Sequence, residues 1–136
     1  MALLDLAIHS EAGSVQLKDI AQRQQISIRY LEHLVTPLIA GGILRSTRGP
    51  RGGVSLAKPP SDIKLDEIIQ LLEGSIALAD CIEHPDLCPR SESCVTRDVW
   101  GELGDAMNRV LESTTLRDLV EKQRIRGQQG EITYYI

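Results

Sequence analysis

Apolar residues along most of the chain recur every three or four positions, which is the spacing of one face of an α-helix. This pattern predicts helices over residues 1–9, 17–24, 28–40, 65–73 and 95–112. A further helix runs through Leu116, Leu119 and Val120, where Thr115-x-x-Asp118 has the form of a capping box. The stretch from Gly127 to Ile136 has no helical pattern, and we expect it to be a tail that is mobile or depends on a partner for its structure.

The segment from Leu44 to Leu56 departs from this spacing and predicts two short strands joined by a turn rich in glycine and arginine. Leu44, Val54 and Leu56 suit the buried face of such a hairpin. Three guanidinium groups must point outward because they cannot be buried without a partner: Arg45, Arg48 and Arg51. A rigid cationic projection suits a phosphate backbone and the groove between its strands, although an ordinary solvated hairpin fits the same pattern.

Two short helices, a tight turn and then a basic hairpin are typical of a winged helix-turn-helix. We therefore predict a mainly α fold, with a winged helix-turn-helix DNA-binding domain, a two-stranded β wing and a long C-terminal dimerisation helix. The dimerisation helix is residues 95–112, whose apolar stripe has little domain left to pack against and would pair with its copy in a homodimer. Packing of that stripe against its own domain is the alternative.

The second helix of the predicted motif carries a polar stripe on one face: Arg29, Glu32, His33 and Thr36. Arginine and histidine can donate hydrogen bonds to purine N7 or O6, and a glutamate can accept one from cytosine N4. A solvated helix face would have the same composition. The basic hairpin that follows the helix directly favours DNA as the ligand of this stripe.

Charge is divided unevenly between the two halves of the chain. Residues 1–58 hold seven Lys or Arg against four Asp or Glu, a balance of +3, whereas residues 59–136 hold eight against fifteen, a balance of −7. Binding is governed by the field of the contacting face, so the acidic total does not argue against nucleic acid. Since no apolar run is long enough to span a bilayer and no signal-peptide pattern opens the chain, we predict a soluble cytoplasmic protein without a membrane partner.

All three cysteines, Cys81, Cys88 and Cys94, lie in one proline-containing segment that is expected to be a loop. The gaps of six and five residues match neither the tight C-x-x-C of a zinc site nor the bacterial ferredoxin run. Three thiolates can still hold iron–sulfur or zinc if a fourth ligand arrives, for which His84 is a nearby candidate. Three unliganded thiols fit the spacing equally well. The predicted divisions are a DNA-binding domain (1–74), a cysteine-bearing loop (75–94), dimerisation helices (95–123) and a tail (124–136).

Several motifs together resemble one family, namely the IscR/NsrR/CymR-type bacterial winged-helix transcriptional regulators. The matching stretches are Ala2–Ala7, Ile26–Glu32, the Arg-Gly-Pro-x-Gly-Gly motif at Arg48–Gly53, Cys94–Trp100 and Leu116–Val120. The resemblance implies a homodimeric repressor or activator that binds double-stranded DNA. It also implies an iron–sulfur cluster, 2Fe–2S or 4Fe–4S, ligated by Cys81, Cys88 and Cys94, whose loss or redox change alters DNA affinity. Such a cluster can be absent from the purified protein.

The predicted DNA contacts combine this resemblance with the patterns above. Helix positions contribute Lys18, Ser27, Arg29, Tyr30, Glu32 and His33. The wing contributes Arg48, Gly49, Pro50, Arg51 and Gly52. The helix positions are expected to read the major groove, and the wing is expected to enter the minor groove.

Three departures from the family pattern bear on these expectations. A histidine three residues after the third cysteine is the fourth cluster ligand in some relatives, and Arg97, which cannot ligate iron, stands there in this chain. Other relatives take that ligand from an acidic residue near the N-terminus. Because the first helix begins at Met1 with no capping residue, we expect its first turn or more to precede this chain. The turn between the two short helices holds Gln25 where relatives often hold glycine.

The leading hypothesis is therefore a DNA-binding regulator, in the first place a repressor, that senses iron–sulfur, redox or nitric-oxide status. One alternative is a cysteine-metabolism-type regulator of the same family that works without a cluster and answers to a protein or metabolite co-effector. Another is an interaction protein that uses the winged helix only as a scaffold. An enzyme is not indicated, since we find no nucleophile with a base at suitable spacing and no paired-carboxylate constellation.

Overall fold

The computed structural model describes residues 1–134, with side-chain surroundings through residue 128. In that part of the chain there are seven α-helices and one two-stranded antiparallel sheet. The helices are α1 (Ala2–His9), α2 (Leu17–Gln24), α3 (Ile28–Ala40), α4 (Leu65–Glu73), α5 (Asp80–Glu83), α6 (Val95–Ser113) and α7 (Leu116–Tyr134). The strands are β1 (Leu44–Thr47) and β2 (Gly53–Leu56). The predicted mainly α winged helix-turn-helix with a β wing and a long C-terminal helix is confirmed.

One apolar core joins α1, α2, α3, the hairpin, α4 and the start of α7. Its most deeply buried side chains come from α1, α2, α3 and α7 and from the segments just before β1 and just before α4: Leu6, Ile20, Leu31, Ile43, Ile63 and Leu116. Of the three residues predicted for the buried face of the hairpin, Leu44 and Val54 are buried and Leu56 is half-buried. None of the described helices is long and apolar enough to cross a membrane.

Local capping signals place several helix ends where the sequence predicts them. Ser27 Oγ accepts a hydrogen bond from the Tyr30 backbone N–H at 3.1 Å and begins α3. The capping box is formed in both directions: the Thr115 N–H donates to Asp118 Oδ2 at 2.9 Å, and the Asp118 N–H donates to Thr115 Oγ1 at 3.2 Å. Gln25 ends α2 with a left-handed φ of 53°, which accounts for the glycine that relatives often hold there.

Two predictions about the second half of the chain are wrong. The expected loop around the cysteines is organised into α5 and two short 3₁₀ turns, Pro85–Leu87 and Ser91–Ser93. The tail expected from Gly127 onward is helical to Tyr134, so the predicted boundary between residues 123 and 124 falls inside α7. Residues 135 and 136 lie outside the described part of the chain. The early turns of α7 bury Leu116 and Val120 in the core of the DNA-binding domain.

A buried ion pair fastens α1 to α2. Asp5 is 7% exposed and accepts hydrogen bonds from Arg23 Nε, Arg23 Nη2 and Gln24 Nε2, at distances between 2.7 and 3.2 Å. Burial alone would raise the pKa of Asp5, but the hydrogen bonds from Arg23 and Gln24 and the charge of Arg23 outweigh it and hold the pKa below its ordinary value. The charged carboxylate therefore stabilises the contact between the two helices.

We expect Asp5→Asn to lower the free energy of unfolding at pH 7 by roughly 1–3 kcal/mol, because the charge-assisted hydrogen bonds are lost. Since the folded-state pKa is depressed, the wild-type advantage is fully present above the unfolded pKa of about 3.9 and is lost as pH falls through the folded value. Urea unfolding of both proteins between pH 7 and pH 3 measures this. Asp62→Asn, at an exposed site, is the matched control. A stability difference that stays constant with pH would contradict this role for the Asp5 charge.

Candidate nucleic-acid interface and cysteine segment

The polar face of α3 is exposed, and its apolar face is in the core. Leu31, Val35 and Leu38 are buried. The predicted DNA-contacting positions of this helix and its cap are all exposed: Ser27, Arg29, Tyr30, Glu32 and His33. Thr36 is exposed as well, and its hydroxyl donates to the Glu32 carbonyl at 2.8 Å. The helix therefore presents donors and an acceptor to solvent along one side, as a groove-reading helix must.

The wing is a regular hairpin with a cationic tip. β1 and β2 pair from Leu44 with Leu56 to Thr47 with Gly53. In the turn between them Arg48, Gly49, Pro50 and Arg51 are exposed, and Gly52 is half-buried. Arg45, although exposed, donates to the Ala57 carbonyl at 3.0 Å, so its guanidinium is tied to the base of the hairpin. Arg48 and Arg51 are thus the two arginines that the turn itself presents.

The segment before α2 holds the wing against the helices through an antiparallel bridge between Val15 and Val54. Val15 and Val54 exchange two backbone hydrogen bonds, each 2.8 Å long. A Cβ on Gly53 would collide with the Val15 carbonyl, so glycine is needed for this close approach. Ser14 Oγ adds a hydrogen bond to Thr47 Oγ1 at 3.1 Å. The wing consequently has a fixed position relative to α2 and α3.

This arrangement brings Lys18 and Arg51 to one notch of about 450 Å³ between the start of α2 and the wing tip. Gln16 Nε2 reaches across to the Pro50 carbonyl at 3.5 Å. Two cations beside the N-terminus of a helix favour a negatively charged group, although Asp19 also lines the notch and opposes it. Sequence reasoning missed Gln16, since no local signal marks a contact between residues more than thirty positions apart.

The cysteine segment carries three free, half-buried thiols, which the structure does not bring together into a metal site. Among the side chains described, residues 1–128, no group of three His, Cys, Asp or Glu is arranged to hold a metal ion. His84 is exposed beside the segment. Arg97 Nε donates to the Cys81 carbonyl at 3.1 Å, so the residue at the expected fourth-ligand position fastens α6 to the cysteine segment.

Cys94 stands at the N-cap of α6, and its Sγ lies 2.9 Å from Thr96 Oγ1. Hydrogen bonds from the Thr96 hydroxyl and the Arg97 backbone N–H lower the pKa of the Cys94 thiol. A thiol whose pKa is lowered supplies more of the thiolate that metal ligation and redox chemistry require.

Helix α6 leaves the body of the protein with its apolar stripe uncovered. Over its 19 residues no side chain is buried within the described chain. Val95, Val99, Trp100, Leu103 and Val110 are each between 44 and 76% exposed. An uncovered stripe of this size on a single helix marks an interaction surface.

Comparison with known proteins agrees with this architecture. The model of the Rrf2 family, described as an iron-dependent transcriptional regulator, matches residues 1–122. The chain is 44% identical over 118 residues to Protein rrf2 of Nitratidesulfovibrio vulgaris, covering 87% of this chain and 79% of that protein.

Two solved structures match the fold as well. CymR, the global cysteine regulator of B. subtilis, has a TM-score of 0.73 at 37% identity, covering 88% of this chain and 87% of that one. IscR of T. potens has a TM-score of 0.73 at 38% identity, covering 90% and 80%.

Proposed function

The chain belongs to the Rrf2 family of DNA-binding transcriptional regulators, and from this premise we propose that it is a homodimeric repressor that senses iron–sulfur, redox or nitric-oxide status. Its family is non-enzymatic. The observation that carries the DNA-binding part is the joint exposure of the α3 polar face and the wing tip, held in fixed relation by the pairing of Val15 with Val54.

The exposed residues divide into two modes of DNA contact. Arg29, Glu32 and His33 are side chains that reach base edges in the major groove. Lys18, Arg48 and Arg51 are cations suited to phosphates and to a narrow minor groove. Ser27, Tyr30 and the backbone of Gly49–Gly52 complete the proposed contact set. The notch shared by Lys18 and Arg51 supports a phosphate held between α2 and the wing.

The homodimer is supported by the uncovered face of α6. An isolated helix with Val99 60% and Val110 62% exposed gains stability by covering these side chains, and a second copy offers a matching stripe. Two-fold pairing would also set the distance between two α3 helices, which is how dimeric helix-turn-helix proteins recognise two half-sites. We propose residues 95–123 as the dimerisation region, residues 1–74 as the DNA-binding domain and residues 75–94 as the sensing segment.

The cysteine segment fits an iron–sulfur cluster in the chemistry of its donors. Three free thiols on short turns can move together without breaking a long element of secondary structure, and hydrogen bonds lower the pKa of the Cys94 thiol. A bound cluster would supply redox-sensitive thiolate ligation at Cys81, Cys88 and Cys94. Gathering the three residues would order the link between α4 and α6, and α6 would shift relative to the DNA-binding domain.

A second candidate function is regulation without a cluster, as a cysteine-metabolism-type member of the family with a protein or metabolite co-effector. The observation that favours it is Arg97, which stands where some relatives have the histidine that is the fourth cluster ligand. Its guanidinium cannot ligate iron, and its Nε already donates a hydrogen bond to the Cys81 carbonyl. In this alternative the thiols are not metal ligands. Iron content therefore separates the two candidates.

The proposed DNA contacts predict different outcomes for wing and helix variants. Arg48→Ala or Arg51→Ala should weaken binding to all duplexes and reduce the slope of log affinity against log salt by roughly 1 per protomer, because a phosphate contact is lost. Glu32→Ala should instead relax the preference at one base pair, worth about 1–3 kcal/mol of discrimination. Fluorescence anisotropy with a duplex selected from a random pool measures both effects. Arg126→Ala, at an exposed site on α7, is the control. Wild-type affinity in both wing variants would contradict the wing assignment.

The cluster proposal predicts that anaerobically purified protein absorbs visible light and contains stoichiometric iron and sulfide. Cys81→Ala, Cys88→Ala and Cys94→Ala should each lose most of that iron, while His84→Ala should keep it. Iron and sulfide analysis with absorption spectra provides the measurement. Iron-free protein that still binds its DNA would contradict the cluster and favour the second candidate.

The dimer proposal predicts that Val99→Glu shifts the protein to monomer, because a carboxylate cannot be buried unpaired in an apolar interface. Asn108→Glu adds the same charge on the opposite side of α6 and should leave the dimer intact. Sedimentation velocity gives the mass, and Trp100, the single tryptophan, reports burial of the stripe by its emission. A wild-type protein that sediments as a monomer, or a Val99→Glu dimer, would contradict the assignment.

A further inference from the structure

Thr36 belongs to the polar stripe of α3 and is the member of that stripe to which the proposed contacts assign no role. The stripe consists of Arg29, Glu32, His33 and Thr36, spaced i, i+3, i+4 and i+7, so the four side chains project from one side of the helix. All four residues are exposed. In homeodomains the base-reading positions of the recognition helix have this same spacing. The position of Thr36 is therefore that of a fourth reading side chain.

The hydroxyl group of Thr36 is already used within the helix. Its Oγ1 donates to the Glu32 carbonyl oxygen at 2.8 Å, which holds the hydroxyl against the preceding turn. The β-carbon of threonine carries two heavy atoms in staggered positions, so the methyl group takes a position that projects away from that turn. Because the single hydroxyl proton is donated to Glu32, it is not available to a base. The group that Thr36 presents at this surface is thus its methyl.

The turn of α3 that follows Thr36 leaves this methyl group free of charged neighbours. Ile39 and Ala40 stand three and four positions further along the same side of the helix, and both are apolar and exposed. The exposed side of α3 therefore changes from charged, at Arg29 and Glu32, to apolar from the Thr36 methyl onward. A base that faces this part of the helix meets an apolar group instead of a charged one.

We infer that Thr36 reads thymine, through contact between its methyl group and the C5-methyl group of the base in the major groove. The C5-methyl group is what distinguishes the thymine edge as apolar in that groove, and the threonine methyl is one of the side-chain groups that contact it. The contact removes apolar surface of both partners from water. This inference rests on the proposed function, since it takes α3 as the helix that lies in the major groove.

The test replaces the thymines of a selected duplex, one at a time, with deoxyuridine, which lacks only the C5-methyl group. Fluorescence anisotropy of the full chain gives the affinity for each duplex. The wild-type affinity should fall about fourfold for the thymine that Thr36 contacts, which corresponds to roughly one buried methyl group. Thr36→Ser removes the methyl and keeps the hydroxyl. It should weaken binding to the thymine duplex by a similar factor and should abolish the deoxyuridine penalty at that position alone.

Two further variants separate the methyl contact from other effects of substitution. Thr36→Val keeps the methyl group and removes the hydroxyl, so it should retain the deoxyuridine penalty. Thr114→Ser makes the same chemical change at a threonine of similar geometry, whose hydroxyl donates to the Val110 carbonyl at 2.7 Å at the end of α6. This matched control should leave the affinity for every duplex unchanged.

Three outcomes would overturn the inference while the proposed function stands, because the duplex would still be bound. These are a wild-type protein without a deoxyuridine penalty at any thymine, a Thr36→Ser variant with the same penalties as the wild type, and a Thr36→Val variant that has lost the penalty. A chain that binds the selected duplex no better than random-sequence DNA would instead overturn the proposed base contacts of α3, and the inference with them.

Discussion

The paired backbone hydrogen bonds between Val15 and Val54 are the constraint on which the proposed DNA-facing surface depends. A two-stranded hairpin is only marginally stable alone, and its tip would sample many directions relative to the helices. The bridge between Val15 and Val54, together with the close approach at Gly53, fixes the wing to the segment that leads into α2. On DNA, the base edges in a groove and the neighbouring backbone phosphates lie at a fixed distance from one another. A wing held in this way keeps its cations at one distance from the polar face of α3.

The core behind this surface is built almost entirely from aliphatic side chains, which suits close helix packing in a chain with no phenylalanine. The polar exception is Asp5, whose carboxylate is compensated by Arg23 and Gln24. That contact ties α1 to the C-terminal end of α2. The helix-turn-helix is thus held by an ion pair at one end and by a strand pairing at the other, with the apolar core between them.

Local features of the fold were predictable from the sequence, and contacts between distant residues were not. The ends of α2 and α4 follow from periodicity and from residues that act within one turn, such as Gly74 after α4 and Thr115 with Asp118 before α7. The exposed face of α3 follows from the same periodicity. In contrast, the approach of Lys18 to Arg51 depends on chain segments that meet only after folding. The helical turns around the cysteines and the extension of α7 to Tyr134 carry too few apolar residues to produce a periodic signal.

The two ends of α6 are attached to the DNA-binding domain in different ways. The helix can therefore rotate about one end when the other end is displaced. At the C-terminal end, the Leu65 N–H donates to the Thr114 carbonyl at 3.0 Å, and the Leu116 N–H donates to the Ile63 carbonyl at 2.8 Å. These bonds fix the C-terminal end of α6 next to the core, where it serves as a pivot.

At the N-terminal end α6 is held through the cysteine segment, where Arg97 contacts the Cys81 carbonyl. A change in residues 80–94 acts at the end of α6 farthest from the pivot, so a small local rearrangement displaces the dimerisation stripe by the largest amount. In the proposed dimer two α3 helices would be spaced through that stripe, so a rearrangement of the cysteine segment would change DNA affinity without altering any of the proposed DNA contacts.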